Sequence, residues 1–422
     1  MNRATIGVIV LAAQVSVFVP EAVCGEPLEQ WHGRDCPAQG AALWSVAYGN
    51  GLFTAVGDNG TVITSPDGVT WTQQACPSTN NLGWVVYGNG VFLAGGALDT
   101  LLVSTNGADW LSTPCPGLPP PDEWPEGIAF AGGYFFLLTS TNFRIWVFSD
   151  FYLSGRYPIV CASATATNWT SSLAFPETAG PVRDVAYGEG QYLAVGARPD
   201  MGDWWSPDMP YGPVSLLTSP DAVVWNDPLL DQWPRSLLFP YFPLRRVAYG
   251  NGRFVAVGEG SCVFFPESTN YVQTFGGPFW CVRFGGGFFI GTDWDRALVT
   301  SSDGINWTAR DAGQGDLSIL DVAYGRNTFV AVGGAGLILQ SDPIVGLSLR
   351  PAAAGNGQGS GMELTISGPP GGTCQVQCAG QIPPPNGWQT VASVTLSDAP
   401  TIWVDPDAAG ASPRFYRAVL PP

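Results

Sequence analysis

Trp204 and Trp205 sit among Asp200, Asp203 and Asp208, with Tyr211 just beyond, and further large aromatics stand at Trp124, Trp233 and Tyr241. Flat indole and phenol faces beside carboxylates suit two kinds of chemistry. They stack on sugar rings while the acids bond the hydroxyls, or they anchor a protein partner. A glycoside hydrolase would draw on the same acids, but only as a pair held at a defined separation. Packing loops onto a scaffold uses these residues equally well, and that plainer role is the one the sequence favours. The run from Asp200 to Asp208 lacks the ligand spacing of a calcium loop, so no metal is expected there.

Other chemistries lack their residues. Histidine occurs once, at His32, which leaves nothing from which to build a histidine triad or a histidine-ligated zinc site. No Cys-x-x-Cys pair, phosphate-cradling Gly-Lys-Ser/Thr loop or His-Glu-x-x-His segment is present. No catalytic residue and no cofactor is therefore assigned; were the protein an enzyme, glycoside hydrolysis is the reaction to expect.

The elements that must position these residues are strands. The chain has 422 residues, 45% of them hydrophobic and 12% charged, with 54 Gly and 37 Pro, a composition of many short strands and tight turns around an ample core. A formal charge of −17, with every basic residue an arginine, excludes nucleic acid as a partner. At the start, Arg3, an apolar run from Ile6 to Val19 and Ala22-Val23-Cys24 read as an export signal over residues 1–24. The run is too short for a membrane span, so no transmembrane segment is expected in the mature chain. The expected location is secreted or extracytoplasmic, in the periplasm or at the cell surface. Cleavage after Cys24 would leave eight cysteines, an even number that suits disulfides; Cys262 and Cys281 flank one short region and are a candidate pair. Lipidation at Cys24 would instead require Val23 where a small residue is usual.

Internal repetition decides the architecture. The segment from Val46 to Gly57 recurs with starts at Val85, Ile128, Val185, Val247, Val282 and Val322, placing aromatics at Tyr48, Tyr87, Phe130, Tyr187, Tyr249, Phe284 and Tyr324. In each copy a short apolar strand meets a Gly-Asn-Gly type turn and a second strand, a hairpin signal. A third strand then enters a box with Ser and Trp six residues apart, as in Ser65-Pro66-Asp67-Gly68-Val69-Thr70-Trp71. It recurs at Ser104 to Trp110, Ser163 to Trp169, Ser219 to Trp225 and Ser301 to Trp307. Asp67, Asn106, Asp221 and Asp303 occupy one position in it and suit a tight turn, because their side chains accept backbone hydrogen bonds.

These boxes resemble the Asp-box of sialidase-type (BNR) β-propellers in a form one residue shorter, and the longer motif resembles bacterial relatives of the photosystem II assembly-factor propellers. The resemblance spans roughly residues 31–343. It implies an all-β, seven-bladed β-propeller in which the boxes are structural and Trp71, Trp110, Trp225 and Trp307 pack between blades. It also raises two activities. A sialidase would need an arginine cluster, a Tyr nucleophile helped by a Glu, and an acid. Phe143-Arg144-Ile145-Trp146 echoes that family's Phe-Arg-Ile-Pro element in the wrong unit and without its proline, and no arginine trio is evident at corresponding strand positions. An assembly factor for a membrane complex is the other implied role, by analogy of fold alone.

The seventh unit ends after its third strand, whereas Trp31 precedes Cys36-Pro37 as Trp71 precedes Cys76-Pro77 and Trp110 precedes Cys115-Pro116. The segment around Trp31 is therefore expected to be the outer strand of the last blade, closing the ring from both termini. The long segments Leu111 to Glu126, Leu138 to Val160, Ala197 to Val214 and Asn226 to Arg245 fall at second-to-third or blade-to-blade connections, which share one face. That face, opposite the boxes, is the expected recognition surface for a protein or glycan. The propeller is assigned to residues 25–343. From 344 to 422, strands at Met362 to Ser367, Thr373 to Cys378, Trp388 to Leu396 and Phe415 to Val419 predict a small β-sandwich. Its Trp388, Asp405 and Arg414-Phe415-Tyr416-Arg417-Ala418 resemble a C-terminal module of exported bacterial proteins.

Overall fold

The structure is a computed structural model. It describes residues 5–10, 28–97, 100–114, 126–148, 151–172, 181–197, 214–226, 244–258, 261–264, 271–274, 278–293, 295, 297–313, 315, 317–344, 346–351, 362–368, 371–380, 387–397, 401–405 and 414–419. Two compact units emerge, one essentially Trp31 to Gln340 and one dominated by the C-terminal residues.

The larger unit is a seven-bladed β-propeller. Its inner strands are Leu43–Gly49, Leu82–Gly88, Gly127–Ala131, Val182–Gly188, Leu244–Gly250, Phe279–Gly285 and Ile319–Gly325, each the first strand of an antiparallel sheet. Consecutive inner strands touch, and the last touches the first. Blade 7 is completed by Trp31–Gly33 lying outside Ile338–Ser341, with Arg34 N–H bonded to Ile338 O at 2.9 Å, so the N-terminal segment does supply the missing outer strand. In blade 4 the described outer strand is a single bridge between Thr218 and Asn226.

Small inner positions let the blades approach. A Cβ added to Gly49 would lie 1.9 Å from Tyr87 Cγ of the next blade, and Gly88, Gly188, Gly250, Gly285 and Gly325 meet Phe130, Tyr249, Phe284, Tyr324 and Tyr48 in the same way. Between blades, apolar side chains interleave. Val46, Phe53, Ile63 and Trp71 of blade 1 pack on Ala323, Val330 and Ile338 of blade 7, while Ala47, Val56 and Val62 pack on Val85, Phe92 and Trp110 of blade 2.

The boxes that carry Asp or Asn are stapled turns. Asp67 Oδ1 accepts from Val69 N–H at 2.8 Å and Thr70 N–H at 2.9 Å, Ser65 Oγ accepts from Gly68 N–H at 2.8 Å, and Trp71 Nε1 donates to Gly68 O at 3.1 Å. Asp303 and Asp221 accept from the two corresponding N–H groups, and the Asn106 amide oxygen does the same. The box also grips the preceding blade: Gln340 Nε2 donates to Asp67 O and Arg253 Nη1 to Asp303 O.

Burial by itself would raise the Asp303 carboxyl, but the N–H groups of Asn306 and Ile305, the Asn306 amide and the Ser301 hydroxyl outweigh it and hold the carboxyl at about 2. A depressed folded-state value means stability that is full above the ordinary carboxylate range and lost as pH falls from about 4 through 2. The Asp303→Asn variant, which copies the residue found at Asn106, keeps the turn and removes the titration. The thermal midpoint of the parent should drop more steeply than that of the variant between pH 5 and 2.5; parallel curves would contradict this account.

Two expectations need correction. Leu138 to Val160 is not a loop: Tyr134–Phe148 and Phe151–Ser163 form one continuous hairpin, paired from Phe135↔Ser163 to Phe148↔Phe151 with a single irregularity at Trp146/Phe148. The run Phe143 to Phe148 is rich in β-branched and aromatic residues, which favour continued pairing. Phe143-Arg144-Ile145-Trp146 lies on this arm. The disulfide expectation also fails where it can be seen. Cys36, Cys76, Cys161, Cys281, Cys374 and Cys378 form no disulfide, and Cys281 Sγ sits 3.4 Å from Thr292 Oγ1. Repetition accounts for Cys36 and Cys76, which follow equivalent outer strands.

The smaller unit has two sheets. Arg414–Val419, Thr373–Ala379 and Gln389–Thr395 make one, with Thr5–Val10 paired to Arg414–Val419; Gly346–Pro351, Met362–Ser367 and Thr401–Asp405 make the other. Leu364, Ile366, Cys374, Val376, Tyr416 and Ala418 fill the core. Asp405, 1% exposed, accepts from Tyr416 Oη at 2.6 Å and pairs with Arg414, while Arg417 lies 4.6 Å over the Trp388 ring. The strand Thr401–Asp405, not expected from the sequence, carries this buried acid.

Candidate functional site

In every blade the turn between first and second strands and the box leave on one face, and the second-to-third and blade-to-blade connections leave on the other. The inner strands begin on that second face, so their first residues ring the mouth of the central channel. Reading from blade 1, the residues two places before the repeated Val or Ile are Trp44, Gly83, Glu126, Arg183, Arg245, Trp280 and Leu320. One place before it stand Ser45, Trp84, Gly127, Asp184, Arg246, Cys281 and Asp321.

Three of the second set, Ser45, Asp184 and Asp321, reach into the following blade and stitch the ring. Asp321 Oδ2 accepts from Val46 N–H at 3.2 Å and from Ser45 Oγ at 2.7 Å, Ser45 Oγ accepts from Val85 N–H at 3.2 Å, and Asp184 Oδ2 accepts from Val247 N–H at 3.0 Å. Both acids are buried, Asp184 at 6% and Asp321 at 4% exposure. Burial pushes the Asp184 carboxyl above its ordinary range, opposed by the Arg246 and Arg283 guanidiniums and by the N–H groups of Val247 and Val185.

Arg283 occupies the inner-strand position that Ala47, Ala129, Ala186, Ala248 and Ala323 hold elsewhere. Its Nη2 lies 3.1 Å from Asp321 Oδ1 and its Nη1 4.0 Å from Asp184 Oδ2, so one side chain of blade 6 reaches carboxylates of blades 7 and 4. These carboxylates raise its basicity further despite the desolvation that acts against it. At the mouth, Arg183 Nε is 3.8 Å from Glu126 Oε2, and the Arg245 guanidinium lies 5.1 Å from the Trp280 ring centroid. Arg246 Nη1 donates to Arg245 O at 3.0 Å.

Arg246 and Arg283 thus converge on Asp184, and Arg283 on Asp321 as well, while Arg183 with Glu126 and Arg245 with Trp280 stand at the mouth, in a chain of strongly negative charge. Position by position, Arg183 and Arg245 correspond, and Trp280 stands in the same place in the next blade. The cluster arises because Arg246 and Arg283 come from different repeat positions into the same space. The signal that would have found it is the alternation of charge just before the repeated Val. The aromatic and acidic candidates Trp124, Asp203, Trp204, Trp205, Tyr211, Trp233 and Tyr241 lie outside the described residues. The segments that carry them join the strands at this same face. Among the described residues no cluster of His, Cys, Asp and Glu is arranged to hold a metal ion.

No family model matches the chain, and no curated protein does. Solved structures do. YCF48 from Cyanidioschyzon merolae matches at 15% identity and a TM-score of 0.52, over 74% of this chain and 98% of that one. A structure described as YCF48 bound to D1 peptide matches at 16% and 0.50, over 76% and 98%. Virginiamycin B lyase from Staphylococcus aureus, with Quinupristin, matches at 8% and 0.54, over 74% and 98%. At such identities the likeness speaks for the fold alone, and on that ground the chain is a β-propeller similar in fold to these structures.

Proposed function

We propose that the protein is a non-catalytic binding or scaffolding propeller, acting outside the cytoplasm, that holds a segment of a partner protein against the face bearing its long connections. The observation that carries this reading is the sorting of the connections: short turns and boxes take one face, while every long connection and the charged channel mouth share the other. A rigid ring with variable segments on one side is an arrangement suited to recognition. The similarity in fold to a propeller solved with a bound peptide supports a protein ligand over a sugar.

Peptide display against the full chain is the direct test. Enriched peptides should lose at least about tenfold in affinity when Trp204 and Trp205 are both changed to Ala, as removal of central aromatic anchors does. Binding unaffected by that change, or enrichment of glycans in place of peptides on a parallel array, would overturn the reading.

A further inference from the structure

We infer that the outer edge of the strand Arg414–Val419, in the smaller unit, is a strand-accepting site that takes an extended apolar segment of a partner protein by β-addition. Within its sheet this strand pairs on one side with Thr373–Ala379, from Gln375↔Val419 to Ala379↔Phe415. On the other side it pairs with Thr5–Val10, from Thr5↔Val419 to Val10↔Arg414, and that register runs through every residue of both strands without an irregularity. Thr5–Val10 belongs to the stretch that the sequence reads as an export signal over residues 1–24. Its removal would uncover a row of backbone N–H and C=O groups, which is a template for another strand.

The acceptor strand is held from behind by its own unit. Tyr416 and Ala418 share a core with Leu364, Ile366, Cys374 and Val376, and Tyr416 Oη and Arg414 both bind Asp405. Arg417 Nε donates to Gln377 Oε1 at 2.7 Å while its guanidinium lies over the Trp388 ring. None of these ties involves Thr5–Val10, so the edge keeps its geometry when that strand leaves, and a preorganised edge avoids an ordering cost on binding. The register defines the guest. Ile6 and Val8 stand opposite Ala418 and Tyr416, with Gly7 between them opposite Arg417, so the guest is apolar and β-branched at alternate positions and small in between. Thr5–Val10 also touches Gly346–Pro351, the outer strand of the second sheet, so the guest runs along the side where both sheets end.

The probe is a fluorescein-labelled peptide of residues 4–11 with an acidic tail for solubility, titrated by anisotropy against the full chain and against the full chain carrying Gly7→Pro with Val8→Pro. Of two consecutive strand residues, one N–H points at the neighbouring strand, so the double change removes a ladder donor and frees the edge. The variant should bind the probe at least about tenfold tighter than the parent, where the chain's own strand competes from within. Ile6→Asp with Val8→Asp, which leaves the backbone donors in place, should give a gain in the same direction. A peptide carrying the two prolines should bind the variant at least about tenfold more weakly than the probe. Amide exchange over 415–419 should quicken in either variant and slow again when the probe is added. Equal binding to parent and variants, no binding to the variants up to millimolar concentration, or equal binding of the proline peptide each overturns the inference. So does a variant that refuses the probe and elutes as a dimer, which would give the edge to a second copy of this chain.

Discussion

Replacing Arg283 with leucine should lower the stability of the propeller by about 3 kcal/mol, the lower end of what is lost when one partner of a buried ion pair is removed. Leucine fills part of the space but leaves Asp184 and Asp321 facing each other across the channel without their shared cation. The lower figure applies because 32% of the Arg283 side chain still meets water in the channel, which screens part of the interaction. In a thermal melt the propeller transition should fall by about 5 °C. The origin of the loss is separable. If it comes from the stranded acids and not from a packing defect, Arg283→Leu combined with Asp184→Asn should recover part of it, since the amide tolerates the loss of the guanidinium while still accepting from Val247 N–H. An Arg283→Leu protein within about 0.5 kcal/mol of the parent, or a double variant less stable than the single one, would show that the cross-channel ties contribute nothing.

That network also marks the limit of what the sequence makes legible. The blades can be read because each copy repeats residues whose roles are local: an aromatic, a glycine and a turn in the hairpin, then Ser, Asp and Trp in the box. The closing strand can be read for the same reason, since Trp31 keeps the spacing to Cys36-Pro37 seen in the other copies. The position just before the repeated Val holds Ser45, Trp84, Gly127, Asp184, Arg246, Cys281 and Asp321, where only the two aspartates agree. A search for repetition passes over it. Its meaning depends on ring closure, which brings residues 184, 283 and 321 around one channel although up to 137 positions separate them. The arm of Tyr134–Phe148 and Phe151–Ser163 is hidden differently: its length makes it look like an insertion, whereas its β-branched and aromatic content favours continued pairing. In the C-terminal unit the resemblance picks out Asp405, Arg414 and Tyr416, and their hydrogen bonds supply the reason for them.

The Gly325→Ala substitution should open the seam where blade 7 meets blade 1. A Cβ at this position would stand 2.2 Å from Tyr48 Cγ and 2.4 Å from Cδ2, an overlap with the root of a rigid ring and not with the tip of a flexible chain. Tyr48 cannot swing aside cheaply, because its ring packs 4.6 Å from Phe53, which is wholly buried. The cost is expected at about 3 kcal/mol, the upper part of the range for overfilling a packed core. Blade 3 supplies the natural comparison. There Ala131 takes the glycine's place, and the tyrosine of the next blade, Tyr187, stands 40% exposed, while its six counterparts are each better covered. The ring tolerates one methyl group at the expense of cover over the aromatic that meets it. Gly51→Ala is the control, since it introduces the same methyl at φ 74° with nothing within 4 Å, and it should cost only about 1 kcal/mol from backbone strain. If steric contact with Tyr48 is the cause, Gly325→Ala should be milder in a Tyr48→Ala background, because the offending ring is then absent. Equal losses for Gly325→Ala and Gly51→Ala in guanidinium unfolding would mean that the closing seam yields without cost, and that aromatic stacking around the inner ring does not hold the propeller shut.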